Sequence, residues 1–325
     1  MTSLPTPAAE AGAATPPDRA GPPPTLEVRS VSHWYGNLVA VNDVSFELQP
    51  GITGLLGPNG AGKSTLLHMM AGFLKPSAGE VRIVGESTWR NPDLYRHVGI
   101  VIEREAVYAG LTGYEFVLFN ARLQGLPDPH EATRRAIALV DLADAQDRKT
   151  SGYSKGMKQR IKIASAIVHD PQVLLLDEPF NGADPSIRLF LMDMLRTMAA
   201  EGRTILFSSH ILEEVEHLGE NVLVVVAGRL AASGDFRAIR RLMTQRPHTF
   251  SIRSSDNTEF ARALLSAGIV DGLDLTDGAL IIRTSDFGRF TVEMPRAAQR
   301  AGIELTEVDP LDESLESVFS YLVQA

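Results

Sequence analysis

The sequence contains no cysteine at all. That absence rules out disulfides and thiolate metal sites, and it suits a reducing cytoplasm. Long apolar runs are also missing. The densest, VLVVVA at Val222 to Ala227, falls far short of the roughly 18 to 20 residues that span a bilayer. Basic charge is short as well: 31 Lys and Arg stand against 40 Asp and Glu, a formal net charge of −9. Such a balance argues against a general electrostatic nucleic-acid binder, so no nucleic-acid partner is expected. The length, 325 residues, suffices for one large domain and a small one, each with its own core.

Against these absences stands GPNGAGKST, Gly57 to Thr65, which fills every position of the phosphate-cradling pattern G-x-x-x-x-G-K-[ST] directly after the apolar segment ITGLL. The spacing has a chemical reason. Glycines let the backbone wrap phosphates with its N–H groups pointing inward, Lys63 reaches the outer phosphates, and the Ser64 hydroxyl binds Mg²⁺. A helix starting near Lys63 adds its positive dipole end. The alternative is a plain glycine-rich turn between strand and helix, and the acids downstream favour the nucleoside triphosphate site.

About 110 residues further on, QVLLLDEPFNGADP (Gln172 to Pro185) opens with aliphatic residues that read as a strand buried on both faces and ending in paired acids. Asp177 is suited to orienting a magnesium shell, and Glu178 to polarising an attacking water as general base. An acid placed near a helix start is the plainer reading of Glu178. A third strand, TILFSS, ends at His210. Histidine there can donate to a γ-phosphate and respond to its loss; a surface histidine after a strand is the alternative.

Between these motifs lies SGYSKGMKQR, Ser151 to Arg160, a loop entering a basic helix. Alone, Ser154 with a glycine behind it is an ordinary helix cap. In this position the stretch resembles the signature sequence of ATP-binding cassette (ABC) proteins, and the chain resembles a nucleotide-binding subunit of an ABC transporter.

The resemblance implies an α/β fold: a P-loop NTPase cassette with a mostly parallel sheet, an antiparallel β subdomain and a helical subdomain. It implies ATP and Mg²⁺ as ligands. Tyr35 sits where the family stacks an aromatic on adenine, a core tyrosine in a hairpin being the alternative. Gly57, Asn59, Gly60, Ala61, Gly62, Lys63, Ser64 and Thr65 match the phosphate loop. Glu103, in VGIVIERE, stands where most members carry a glutamine that touches Mg²⁺. Ser154 and Gly156 take signature positions, YSKGM replacing the commoner LSGGQ, and in the family this loop closes over ATP held by another subunit. Asp184, in NGADP, matches the loop through which two sites sense each other, and His210 completes the set.

The resemblance further implies an integral membrane permease subunit on a separate chain, pairing with a second copy of the chain or a related ATP-binding subunit, and a peripheral place on the cytoplasmic face of the cell membrane. Residues 1–24, rich in proline and alanine, read as a disordered tail without a signal-peptide core. The cassette is expected over 25–243, with its helical subdomain at about 105–166. From 247 to 325 the segments follow a β-α-β-β-α-β order around an Asp277–Gly278 turn, suggesting a small ferredoxin-like domain. LDESLESVFSYLV, with Leu315, Val318, Phe319 and Leu322 at helical spacing, follows it. This extension resembles that of ATPase subunits of ABC-2 type exporters, with a role in dimer support or regulation. An ABC ATPase driving a non-transport complex, an importer subunit and a nucleotide-gated binding subunit with negligible turnover are the rival readings.

Overall fold

The computed structural model describes residues 23–102, 107–219, 221–235, 248–276 and 278–311. The Pro/Ala-rich stretch through residue 22, Glu103, Asp277 and the Leu315–Leu322 segment lie outside the described residues.

Two sheets lie among the described residues from 23 to 235. The smaller is antiparallel, with strands β1 (Leu26–Tyr35), β2 (Leu38–Leu48), β4 (Ala78–Ile83) and β5 (Glu86–Ser87) in the order β2-β1-β4-β5. The larger contains β3 (Gly51–Leu56), β6 (Val98–Val101), β7 (Val173–Asp177), β8 (Thr204–Ser209), β9 (Asn221–Val226) and β10 (Arg229–Gly234), in the order β10-β9-β3-β8-β7-β6. All its neighbours are parallel except the β10–β9 edge pair. The expected apolar segments ITGLL, VLLLD and TILFSS are its central strands, and every residue of β7 and β8 is buried. Continuous burial is what a parallel sheet covered on both faces demands.

Side-chain alternation divides the interior in two. Val173 and Leu175 of β7 join one cluster with Leu206, Val225 and helix α1 (Lys63–Met70), under the antiparallel sheet. Leu174 and Leu176 join another with Ile205, Phe207 and the helical side of the molecule. That side holds α2 (Gly113–Leu123), α3 (Pro129–Leu139), α4 (Lys155–Ile167), α5 (Pro185–Ala200) and α6 (Leu212–Leu218). Their starts are specified locally. Thr112 and Glu115 form a capping box on α2, Asp128 caps α3 ahead of Pro129, and Ser154 and Asp184 cap α4 and α5.

The last region has its own core. Strands β11 (His248–Ser254), β12 (Gly272–Thr276), β13 (Ala279–Thr284) and β14 (Leu305–Pro310) pair antiparallel in the order β12-β13-β11-β14. With α7 (Asn257–Ala267) and α8 (Phe287–Ala301) between strands, this is the β-α-β-β-α-β ferredoxin-like arrangement. Phe250, Ile252, Leu280 and Ile282 cluster with Phe260, Leu264 and Phe290. On exposed side chains of the sheet, Arg253 pairs with Glu307 at 2.9 Å and Arg283 with Asp274 at 2.7 Å.

Candidate functional site

Strand register builds the site. Leu56, the last residue of β3, pairs with Ser209 of β8, and Asp177, the last residue of β7, pairs with Ser208. The 57–62 loop, His210 and the paired acids therefore leave the sheet side by side at the carboxyl ends of parallel strands, the edge where open α/β sheets bind ligands.

The loop is a backbone cradle. A Cβ on Gly57 would fall 2.3 Å from the Val225 carbonyl oxygen, and one on Gly62, which has φ 104°, would fall 2.5 Å from that of Ala40. Only glycine fits either place. Gly62 stands at the N-cap of α1 and has no side chain with which to cap the helix. The Lys63 ammonium donates to the carbonyls of Gly57 at 2.7 Å and Pro58 at 3.2 Å, lying across the loop. Asn59, Gly60 and Ser64 are exposed, Thr65 is half-buried, and Ala61 is buried with its N–H on Pro58. A cradle of amides with a lysine across it fits a chain of phosphates.

At the acidic end, Asp177 is buried and accepts from Ser208 Oγ at 2.5 Å. The same hydroxyl accepts from the Glu178 N–H at 3.0 Å. Glu178 adopts φ 49°, a left-handed backbone that costs a non-glycine residue on the order of 1 kcal/mol. Its carbonyl accepts from Gln159 Nε2 at 3.4 Å, and its Oε1 accepts from His210 Nδ1 at 2.8 Å. An ionised carboxylate only accepts, so this bond assigns the proton to Nδ1 and turns Nε2 away from Glu178. The Glu178 side chain is largely buried and the His210 ring half-exposed, which leaves the pair one open side.

The signature stretch forms a second group with the loop after the acids. Ser154 caps α4, its Oγ accepting from the Met157 N–H at 3.2 Å, so the plain helix-cap reading describes its bonding here. Lys155 Nζ donates to Asn181 Oδ1 at 2.8 Å. A Cβ on Gly182, at φ 80°, would lie 2.4 Å from Lys155 Cδ, and one on Gly156 would lie 3.3 Å from the Gly182 carbonyl oxygen. Asp184 Oδ1 accepts from the Ile187 N–H at 3.0 Å and the Ser186 hydroxyl at 2.7 Å. Those bonds, the Ile187 amide foremost, hold its carboxyl below the usual range. Tyr35 stands apart, half-exposed at the end of β1, its ring edge-on to His33 with centroids 4.6 Å apart.

Ser208, Gln159 and Asn181 were not expected from the sequence. The signal for Ser208 was the serine pair in TILFSSH, since consecutive strand positions face opposite ways and one of them must point toward the acids.

Residues 41–181 match the profile of the ABC transporter family. Over 305 residues the chain is 35% identical to the bacitracin transport ATP-binding protein BcrA of Enterococcus faecalis, covering 92% of this chain and 96% of that relative. The chain belongs to the ATP-binding proteins of ABC transporters. This cassette is therefore a nucleotide-binding, ATP-hydrolysing protein. It is also 33% identical to the daunorubicin/doxorubicin resistance ATP-binding protein DrrA of Streptomyces peucetius, across 88% of the cassette chain and 86% of DrrA. A solved ATP-binding subunit of an ABC transporter superposes with a TM-score of 0.62 at 31% identity, covering 67% of this chain and 92% of that one. Among the described residues no helix is long and apolar enough to cross a membrane.

Proposed function

We propose that this protein is the ATP-hydrolysing subunit of an ABC-2 type exporter, coupling ATP-driven closure of two cassettes to a separate membrane-spanning permease. The observation that carries hydrolysis is the Glu178–His210 bond at 2.8 Å beside the buried Asp177. Glu178 takes a proton from the attacking water as its oxygen bonds to the γ-phosphorus and the bond to ADP breaks. His210 holds Glu178 through Nδ1–H, and its Nε2 can donate to the γ-phosphate only in the imidazolium form, with both ring nitrogens protonated. Lys63 and the loop amides of Gly57 to Gly62 neutralise the phosphates, and Tyr35 stacks on adenine. Ser64 and Asp177, with Glu103, would hold Mg²⁺, which would supply positive charge to offset that of the phosphates. Ser154, Gly156 and Asp184 face the ATP of the other cassette.

Export is supported by the company the chain keeps: relatives named for bacitracin transport, drug resistance and Nod factor export, the last from Burkholderia lata at 37% identity over 64% of this chain. The match to BcrA covers 92% of this chain, so it takes in at least part of the region from 247 onward. We assign that region to dimer support and the whole protein to the cytoplasmic membrane face. The test is a pull-down of tagged protein from detergent-solubilised host membranes, with wild type and Glu178→Gln compared in MgATP. Recovery of a multi-spanning partner is expected; recovery of soluble or ribosomal partners alone would overturn the exporter reading.

A further inference from the structure

Behind the hydrolytic centre, one buried carboxylate is committed on both oxygens. Glu214, in α6 and four residues after His210, is 3% exposed. Its Oε2 accepts from Ser209 Oγ at 2.6 Å, and its Oε1 lies 3.3 Å from Arg188 Nε. The second contact is an ion pair without hydrogen-bond alignment, since Arg188 Nε has no hydrogen-bond partner. Burial pushes the Glu214 carboxyl above the usual range, against the opposing pull of Ser209 and Arg188. A carboxylate at this depth depends on its partners.

The chain positions of those partners matter. Arg188 lies in the first turn of α5, and its N–H donates to the Asp184 carbonyl at 2.9 Å, which ties its backbone to the end of the Asn181–Asp184 loop. Ser209 directly precedes His210, and its hydroxyl accepts from the Ile211 N–H at 2.9 Å, bracketing the histidine. Ser208, on the opposite face, ties the same strand end to Asp177 and Glu178.

We infer that Glu214 is a positioning residue that joins the Asn181–Asp184 loop to His210 through Arg188 and Ser209. If α5 shifts, Arg188 withdraws from a buried carboxylate. Glu214 then follows its cation and draws on Ser209 and the strand end that carries His210. Glu214 acts through the histidine's backbone, by way of Ser209. The inference rests on the hydrolytic roles of Glu178 and His210 proposed above.

The test is steady-state ATP hydrolysis by the full-length chain over a range of MgATP concentrations. The variants are Glu214→Gln, Arg188→Gln, their double and Ser209→Ala, with Glu178→Gln and His210→Ala alongside. Each of the first two should lower kcat about tenfold with KM within about twofold, the mark of an interaction used only on the way to the transition state. The double should fall no further than the singles, because one link is being cut twice. Ser209→Ala, which keeps the charge pair and removes only a hydroxyl, should give the same kcat loss if Glu214→Gln fails to fold. Losses that multiply to about a hundredfold in the double, a change carried by KM, or kcat at the wild-type level would each overturn the link. Wild-type turnover in Glu178→Gln and His210→Ala would sink the hydrolytic assignment and the link with it. If those two are inactive while Glu214→Gln and Ser209→Ala are fully active, the link alone fails.

Discussion

Helices α1 and α4 both start where a loop rich in glycine or serine meets the body of the cassette, but α1 starts on Gly62, which has no side chain to offer, and α4 starts on Ser154, whose hydroxyl serves the Met157 N–H. The first has no N-cap side chain to serve its opening amides. The second satisfies an amide from within: Ser154 Oγ accepts the Met157 N–H, and its O–H can still donate to an outside acceptor. The two helix starts are thus told apart by who caps them.

The largest expected effect lies beside α1. Glu178→Gln should lower turnover by about a hundredfold or more while a fluorescent ATP analogue still binds. Wild-type hydrolysis in that variant would remove Glu178 from the role of base. Next come the glycines that shape the loops. Gly62→Ala, with φ 104° and a Cβ 2.5 Å from the Ala40 carbonyl oxygen, should cost about 1–3 kcal/mol and weaken nucleotide binding. Gly152→Ala, on the approach to α4 with nothing within 4 Å of its Cβ, should leave both Tm and binding alone. Equal behaviour of the two would erase the contrast.

Ser154→Ala should lower stability by about 1 kcal/mol through the lost cap and reduce turnover, yet leave ATP affinity of the single chain unchanged, as equilibrium titration would show. A loss of affinity there would make α4 a resident binding element like α1. Tyr35→Ala should weaken ATP binding by about 0.5–1.5 kcal/mol, several-fold, and Tyr35→Trp should restore it. The smallest effect is at the far end of α4. Burial lowers the pKa of His169 below its usual 6.5, despite its bond to the Val98 carbonyl. A depressed histidine contributes stability that is present above pH 6.5 and lost as pH falls toward its folded pKa. Urea denaturation of His169→Gln should therefore show a flatter fall in stability below pH 6.5 than wild type.

Much of this was legible in the sequence, and the reasons are specific. VLLLD and TILFSS announced themselves because strands buried on both faces carry unbroken apolar runs, and GPNGAGKST because close backbone approach leaves glycine as the only fit. Ser154 was readable as a cap, which is how it bonds. The order of the strands was not readable, because register is set by packing between distant segments. Nor was Ser208's bridge, since a strand serine carries no local pattern. Pro295 lies inside α8, where a proline ordinarily ends a helix; caps at Asp286 and Gly302 and the burial of Phe290, Met294 and Ala298 outweigh it. Lys155 reads as a departure from the family's signature, and only the fold gives it a place, laid over Gly182 and bonded to Asn181.

The left-handed backbone of Glu178 has a consequence for how such a protein can change over time. At φ 49° the residue that best relaxes the chain is glycine, which carries no carboxylate. Random drift toward a sturdier fold and drift toward a silent enzyme therefore point the same way at this one position. With Glu178 as the proposed base, a lineage that keeps it would record selection for turnover, and a glycine there would mark a cassette released from it.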